Sequence, residues 1–320
     1  MMKEKIVEVK KLKKYFYLSG NRVLHAVDNI NIDIYKGETF GLVGESGCGK
    51  STLGRTIKGI YKPTNGQVIF EGKDISRMDK KDMRSFMLHM QMIFQDPYSS
   101  LNPRMMVKEL VSEGLEIHKI GTKKTQEQKV IEMLELVGLT PEYITRYPHE
   151  FSGGQRQRLA IARALAVGPK FIICDEPISA LDVSIQGQIV NLLNELQNKF
   201  GLTYLFIAHD LSMVKYISTR VGVMYMGKLV ELAGKEELFK NPKHPYTQAL
   251  LSSIPIPNPR KERERKEIPI EGEIPSPLNK ITGCTFKTRC KFVKPVCDYM
   301  EDQLINIGNG HFVMCTRYCE

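Results

Sequence analysis

Residues 44–52 of the chain read Gly44-Glu45-Ser46-Gly47-Cys48-Gly49-Lys50-Ser51-Thr52. They directly follow an apolar run, Thr39–Val43, that has the length of a buried strand. The stretch fills the G-x-x-x-x-G-K-[ST] pattern, in which glycines permit a tight turn whose backbone N–H groups point at phosphate oxygens. A helix beginning near Lys50 adds the positive end of its dipole. Lys50 is predicted to neutralise the β- and γ-phosphates of a nucleotide, and the Ser51 hydroxyl to bind Mg²⁺.

Strand-like and helix-like segments alternate through roughly the first 250 residues, which predicts an α/β domain with a largely parallel sheet. Phe171–Cys174 and Tyr204–Ala208 are short and apolar throughout, as strands covered on both faces are. Between about residues 101 and 165 the pattern predicts a helical subdomain. Apolar residues recur there at helical spacing, in Val130, Met133, Leu134 and Val137.

The chain has 320 residues, enough for one large domain and a smaller appendage. We expect an α/β domain over 1–255 and a C-terminal tail over 256–320. Prolines on both sides of the charged run Arg260–Glu267 predict a semi-extended linker at the start of the tail.

Charge and hydropathy narrow the function classes. The formal net charge is +10, but the basic residues are spread along the chain, which argues against nucleic acid as a partner. No apolar run approaches the roughly 18 residues of a membrane span. The N-terminus lacks the apolar segment of a signal peptide. A protein that is cytosolic, or held at a membrane face by partners, is expected.

Two acidic residues, Asp175 and Glu176, follow the apolar run Phe171–Cys174. A carboxylate at the end of a buried strand suits the water shell of Mg²⁺, which is the predicted role of Asp175. Glu176 is placed to polarise an attacking water. Many strands end in two acids, so these roles depend on the presence of the phosphate loop in the same chain.

A third motif, Phe151–Arg158, contains two glycines directly after a serine. Ser152 is predicted to cap a helix, with Gln155 completing a capping box. The alternative is a well-capped helix and nothing more. Gly153 and Gly154, however, leave bare N–H groups at the helix N-terminus, which is an anion site.

The three motifs, in their order along the chain, resemble those of the nucleotide-binding subunits of ABC transporters, and the resemblance covers essentially the whole chain. It implies ATP and Mg²⁺ as ligands and a RecA-like core with a helical subdomain and an antiparallel β part. Tyr15 matches the aromatic residue that stacks on adenine, with Phe16 and Tyr17 as neighbouring alternatives. Gln95 matches the glutamine that contacts Mg²⁺ and water.

Further roles follow from the same resemblance. Asp182, at the end of Ser179-Ala180-Leu181-Asp182, matches the loop that crosses to a partner ATPase, and His209 matches the histidine that contacts the γ-phosphate. ATP on the phosphate loop of one protomer is expected to be covered by Ser152 and Gly154 of another. Hydrolysis, with Glu176 as base, then reopens the pair.

Two stretches, Gln91–Arg104 and Asn241–Leu251, resemble the peptide-importer ATPases, especially their F-type subunit. This implies import of dipeptides or oligopeptides, with nickel chelates or oligosaccharides as alternative cargo. It also implies two permease subunits, an external substrate-binding protein, and a second ATPase subunit that makes a heterodimer, or a homodimer for the purified chain. The expected location is the cytoplasmic face of the membrane. A soluble ABC ATPase and an exporter cassette are less favoured alternatives, because fused cassettes, coiled coils and membrane helices are missing.

Cysteines cluster in the tail in a C-x5-C-x6-C-x17-C arrangement, formed by Cys284, Cys290, Cys297 and Cys315. Four thiolates suit a [4Fe–4S] cluster or tetrahedral zinc, and unligated thiols are the third possibility. The spacing lacks the C-x2-C knuckle usual for zinc, and the resemblance favours [4Fe–4S] in a small metal-binding extension. Cys319 is a spare ligand. Cys48 and Cys174 are interpreted as small buried residues.

Overall fold

The computed structural model describes residues 4–255, 268–273, 275–276, 278 and 281–319. The predicted linker therefore lies largely outside the described residues. Contacts divide the chain into two compact units. The first, which we name the helical unit, consists mainly of Arg77–Ile207 together with Tyr35–Glu38. The second, the phosphate-loop unit, contains Lys5–Ile34, Thr39–Ser76 and the described residues from Ala208 onward.

The strands of the described chain are β1 (Lys5–Leu18), β2 (Arg22–Tyr35), β3 (Thr39–Val43), β4 (Asn65–Phe70), β5 (Lys73–Asp74), β6 (Met90–Ile93), β7 (Phe171–Asp175), β8 (Thr203–Ile207), β9 (Arg220–Tyr225), β10 (Lys228–Gly234), β11 (Ile305–Asn306) and β12 (Phe312–Val313). The α-helices are α1 (Lys50–Ile57), α2 (Lys80–His89), α3 (Pro97–Ser100), α4 (Val107–Ile117), α5 (Lys123–Leu136), α6 (Gly153–Ala166), α7 (Val183–Phe200), α8 (Leu211–Ile217), α9 (Lys235–Lys240) and α10 (Pro245–Ser252). Single 3-10 turns cover Ile75–Arg77, Pro141–Thr145, Pro148–Glu150, Lys287–Arg289, Pro295–Tyr299 and Thr316–Tyr318.

The phosphate-loop unit contains two groups of strands. One is an antiparallel sheet in the order β2-β1-β4-β5, in which Val9 of β1 pairs with Val68 of β4. In the other, β9 pairs parallel with β3 and antiparallel with β10. The tail extends this second group, because β12 pairs with β10 and β11 pairs with β12. The C-terminal residues are thereby part of the same unit as the phosphate loop.

The helical unit combines three parallel strands with a group of helices. β7 pairs parallel with β6 on one side and with β8 on the other. All five residues of β7 and all five of β8 are buried, as expected for strands covered on both faces. Helices α4, α5 and α6 pack against one another. The four apolar positions predicted at helical spacing between 130 and 137 are all buried, so they form the inner face of α5.

The three predicted strands are confirmed to within one residue at each end. Helices α4–α6 lie in the region of about 101–165 that was predicted to be helical, whose bounds stay a prediction, and the chain has the mixed α/β fold expected of the resemblance. The division at residue 255 stays a prediction. Within the described ranges, no helix combines the length and the hydropathy needed to span a membrane.

Candidate nucleotide site

The phosphate loop has a backbone that only glycine tolerates at two of its positions. Gly44 and Gly49 adopt φ values of 152° and 106°. A Cβ atom on Gly44 would lie 2.1 Å from the carbonyl oxygen of Met224, and one on Gly49 would lie 2.0 Å from that of Ala26. Gly49 is also the N-cap of α1, and no side chain caps this helix end. The loop therefore ends in the uncapped N-terminus that an anion site requires.

Lys50 begins α1 and is 4% exposed. Its Nζ atom donates hydrogen bonds to the carbonyl oxygens of Gly44, at 2.8 Å, and Glu45, at 3.0 Å. The ammonium group is thus held inside the loop that precedes it, which is the position predicted for a phosphate-neutralising charge. Cys48 is buried beside it, and burial raises the pKa of the Cys48 thiol. Cys48 is therefore a neutral packing residue, as is Cys174, whose pKa burial also raises.

The family stretch Asn241–Leu251 contacts the phosphate loop, which sequence reasoning did not foresee. The backbone N–H groups of Lys243 and His244 donate to the buried carboxylate of Glu231, at 2.7 and 2.9 Å. His244 then caps α10, because its Nδ1 accepts from the N–H of Tyr246 at 3.1 Å. These bonds aim the Tyr246 hydroxyl at the loop, where it accepts from the Glu45 N–H at 2.8 Å.

In the helical unit, the ends of two parallel strands bring Gln95 and Glu176 together. Ile93 of β6 pairs with Cys174 of β7. Gln95 lies two residues after Ile93, and Glu176 lies two residues after Cys174. The Nε2 atom of Gln95 donates to Oε2 of Glu176 at 2.7 Å. The two residues predicted to act on the attacking water are therefore in direct contact.

Glu176 has an unusual backbone for a residue with a side chain, since its φ is 47°. Its N–H donates to the carbonyl oxygen of Ile207 at 2.9 Å, which fixes the turn after β7. Such left-handed residues outside glycine concentrate at functional sites, where the surrounding contacts offset the strain. Asp175, one residue earlier, is fully buried at the end of β7.

The capping box predicted at the third motif is confirmed. The Ser152 N–H donates to Gln155 Oε1 at 3.0 Å, and the Gln155 N–H donates to Ser152 Oγ at 3.4 Å. Gly154 is needed because a Cβ there would lie 2.7 Å from the Ile185 side chain of α7. Ser152 and Gly153 are exposed, and so is Asp182, the N-cap of α7. The helical unit thus presents these residues on its surface.

His209 and Tyr15 belong to the phosphate-loop unit. His209 is exposed, two residues beyond the end of β8. The Tyr15 ring lies 4.1 Å from the ring of His25, and its hydroxyl donates to Asp28. His25 and Asp28 line a cavity of about 390 Å³. Tyr17 is 74% exposed and Phe16 is half-buried, so all three aromatic residues of β1 stay candidates for contact with an adenine ring.

The four tail cysteines lie close together in the fold. The Cys284 N–H donates to the Cys297 carbonyl oxygen at 2.8 Å. Burial, together with the neighbouring thiols of Cys297, Cys315 and Cys290, raises the pKa of Cys284 to about 11. None of the four forms a disulfide.

The predicted metal centre is not confirmed, however. Among the described residues, no group of three or more Cys, His, Asp or Glu side chains is arranged to hold a metal ion. The Cys297 sulfur is hydrogen-bonded to Thr316 Oγ1 at 3.4 Å and accepts from the Lys294 N–H at 3.5 Å. Cys319, the predicted spare ligand, is exposed. The four free thiols are the donor set that a [4Fe–4S] cluster or zinc would need, so the metal centre stays a proposal.

Comparison with known proteins identifies the family. A family model described as "ABC transporter" matches residues 27–179, and one described as "Oligopeptide/dipeptide transporter, C-terminal region" matches 230–297. The chain is 57% identical over 318 residues to the oligopeptide transport ATP-binding protein OppF of Bacillus subtilis (strain 168), covering 99% of this chain and 98% of the relative. The chain belongs to the ATP-binding proteins of oligopeptide ABC transporters. A second member, AppF of the same organism, is 51% identical over 322 residues, covering 98% of each chain.

Solved structures of ABC ATPases have the same fold. A dimeric structure of the ATP-binding cassette MJ0796 in a post-hydrolysis state, bound to ADP and Pi, superposes with a TM-score of 0.66 at 28% identity, over 72% of this chain and 98% of the other. The structure of cbiO1 from Clostridium perfringens, described as part of the ABC transporter complex cbiONQ, gives a TM-score of 0.66 at 31% identity, over 74% of this chain and 92% of the other. The family resemblance drawn from the motifs is thereby confirmed.

Proposed function

We propose that this protein hydrolyses ATP to power the import of dipeptides or oligopeptides, as one ATPase subunit of an ABC importer. The observation that carries the ATPase assignment is the 2.7 Å hydrogen bond between Gln95 and Glu176. It places a carboxylate with a fixed orientation at the end of a strand whose last residue, Asp175, is a buried acid. Peptide as the cargo is supported by the relatives named for oligopeptide transport.

Nucleotide and magnesium are assigned to the loop and the strand end. Gly44–Thr52 surrounds the phosphates with backbone N–H groups, and Lys50 neutralises them. Ser51 would ligate Mg²⁺, Asp175 would hold its water shell, and Gln95 would contact the ion and a water. When bound, Mg²⁺ neutralises charge that develops on the phosphate oxygens. Tyr15 stacks on the adenine, beside the cavity that His25 and Asp28 line.

The chain's own residues carry the reaction as follows. The oxygen of a water attacks the γ-phosphorus in line with the bridging oxygen to the β-phosphate, and that bond breaks to give ADP and inorganic phosphate. Glu176 accepts a proton from this water. Gln95 helps to orient the water by holding the Glu176 carboxylate in place. His209 contacts the γ-phosphate. Positioning and charge stabilisation supply most of the rate.

A second ATPase subunit completes the site. The exposed Ser152, Gly153 and Asp182 cover the ATP that is bound to the phosphate loop of the partner, with Gly154 and Gln155 shaping the helix end. The F-type resemblance favours a heterodimer in the cell, with a homodimer as the alternative for the purified chain. Closure and reopening of the pair move two permease subunits, which receive cargo from an external substrate-binding protein. The subunit then works at the cytoplasmic face of the membrane.

The test is uptake by the complete transporter. Reconstituted in vesicles with its permeases and second ATPase, the wild-type protein should drive ATP-dependent accumulation of a labelled peptide, and Lys50→Ala should abolish it. Labelled nickel chelate and oligosaccharide serve as competing cargo. Accumulation of one of these and not of peptide would reject peptide as the cargo. Absence of ATP hydrolysis by the wild-type complex would reject the ATPase function itself.

For the tail, we propose that Cys284, Cys290, Cys297 and Cys315 hold a [4Fe–4S] cluster, with zinc as the alternative. The proposal is supported by four free thiols gathered in a region with little apolar core of its own. Iron, acid-labile sulfide and zinc are measured on protein purified without oxygen. About four irons and four sulfides per chain support the cluster. Cys290→Ser should lose them, and the matched control Cys319→Ser should not.

A further inference from the structure

One arginine of the tail reaches the phosphate loop. Nη1 of Arg289 lies 3.0 Å from Oε2 and 3.2 Å from Oε1 of Glu45, the second residue of the loop. The Arg289 side chain is 8% exposed and that of Glu45 22%. The ion pair is therefore shielded from solvent far more than an ordinary surface pair, and it links positions 244 residues apart.

Packing fixes the direction of Arg289. It ends the 3-10 turn Lys287–Arg289, and its N–H donates to the carbonyl oxygen of Phe286 at 3.0 Å. The Phe286 ring is buried and packs against the rings of Tyr225 and Tyr246, at 5.3 and 5.4 Å between centroids. Arg289 is thus anchored by a buried aromatic cluster, so its guanidinium loses little freedom when it binds the carboxylate.

The same cluster holds the loop by a second contact. Tyr246 accepts the Glu45 N–H through its hydroxyl, and burial raises the pKa of Tyr246, which keeps that hydroxyl protonated. The Glu45 carbonyl oxygen accepts from Lys50 Nζ at 3.0 Å. Every polar group of Glu45 is therefore bonded: its N–H to Tyr246, its carbonyl to Lys50 and its carboxylate to Arg289.

We propose that Arg289 is a positioning residue for ATP binding, which acts through Glu45 to keep the phosphate loop in its binding conformation. The inference rests on the proposed function of that loop. The Arg289 Nε atom is buried without a hydrogen-bond partner among the described residues. The guanidinium therefore carries a desolvation cost, which its two contacts with the Glu45 carboxylate and a longer one, at 3.5 Å, with the Tyr225 hydroxyl offset. Arg289 belongs to the C-terminal tail, which thereby sets the ATP affinity of the subunit.

The test is a double-mutant cycle on the full chain, with a non-hydrolysable ATP analogue and Mg²⁺ as the probe. Arg289→Gln should raise the Kd about tenfold, the effect of losing a hydrogen-bonded partner of a charged group. Glu45→Gln should raise it by a similar factor. Combined with Glu45→Gln, Arg289→Gln should add less than about twofold, because the two act through one contact. Arg289→Lys, which keeps the charge, should recover part of the affinity.

The matched control is Arg317→Gln. Arg317 is another tail arginine close to a cysteine, but it is exposed and stacks on Phe292 at 4.4 Å. Its replacement should leave the Kd within about twofold of wild type, because substitutions of exposed side chains usually have small effects on the folded structure. Equal effects of Arg317→Gln and Arg289→Gln, or additive effects in the cycle, would overturn the proposal, because they indicate general damage to the tail.

Three further outcomes distinguish the role of Arg289 from the proposed function of the phosphate loop. If Arg289→Gln does not fold, Glu45→Gln addresses the same ion pair without changing the tail. An unchanged Kd for that variant then overturns the proposal. If the wild-type chain itself fails to bind the analogue, the proposed function of the phosphate loop is rejected. Binding by wild type that is insensitive to both substitutions rejects only the role of Arg289.

Discussion

Gln95 donates a 2.7 Å hydrogen bond to the carboxylate of Glu176, across the ends of two adjacent parallel strands. The contact follows from the register, since each residue lies two positions past the paired residues Ile93 and Cys174. The amide orients the carboxylate without neutralising it, because an amide N–H carries no formal charge. A carboxylate base with a fixed orientation is what proton abstraction from water needs.

Glu176→Gln should bind ATP as wild type does and lose hydrolysis by a factor of about 100 or more, because the amide has the same shape but accepts no proton at neutral pH. Phosphate release and ATP binding are measured separately. Glu132→Gln is the control: Glu132 is an exposed carboxylate on α5, 2.9 Å from Lys129. Retention of wild-type turnover by Glu176→Gln would show that another group is the base.

Gln95→Ala removes the amide that holds the Glu176 carboxylate. We expect kcat to fall about tenfold with KM within about twofold, since a hydrogen bond to a charged group is lost while the phosphate loop is untouched. Gln91→Ala is the matched control, because Gln91 lies in β6 and donates to the Met87 carbonyl oxygen at 2.6 Å. A rise in KM with unchanged kcat would instead assign Gln95 to ATP binding.

Local features of the site were predictable from sequence, and long-range ones were not. The Ser152–Gln155 capping box involves residues three apart, and its pattern is sufficient to predict it. The buried strand Thr39–Val43 was likewise marked by its apolar run. In contrast, the bonds from Tyr246 and Arg289 to Glu45 span 201 and 244 residues. No periodicity or spacing encodes such contacts, because they depend on how α10 and the tail pack in the folded chain.

Two features of the candidate sites are not determined by the local sequence. The left-handed backbone of Glu176 had no signal, because sequence reasoning expects positive φ at glycine. The cysteine spacing predicts a metal centre, which stays a prediction, and it does not determine the hydrogen bonds that the Cys297 sulfur makes to Thr316 and Lys294. Spacing along the chain reports which residues can meet and leaves open the direction in which their side chains point.

Ser152→Ala should lower the free energy of unfolding by about 1 kcal/mol, because Ser152 caps α6. Thr122→Ala removes the equivalent cap of α5, where Thr122 Oγ1 accepts from the Thr125 N–H at 3.4 Å. The two variants should therefore lose similar stability in urea, while only Ser152→Ala loses ATPase activity of the assembled transporter. Equal ATPase activity of the two variants would show that Ser152 acts only as a helix cap.

Stability should fall in mild acid because of His244. Burial lowers the pKa of His244 to about 4, from an ordinary value of 6.5. Its ring is neutral in the folded chain, where Nδ1 accepts from the Tyr246 N–H, and the nearby Glu231 carboxylate does not offset the burial. Protonation of His244 thus favours the unfolded chain. The stability that the neutral His244 ring contributes is fully present above about pH 6.5 and is lost as the pH falls towards 4.

The slope of this loss is at most about 1.4 kcal/mol per pH unit for a single group. It is measured as the urea midpoint at pH 7, 6 and 5. His244→Asn keeps a capping acceptor that does not titrate, so its midpoint should depend less on pH than that of wild type. His149→Asn, at an exposed histidine, should keep the wild-type slope. Parallel pH curves for wild type and His244→Asn would mean that acid acts on the fold through another group.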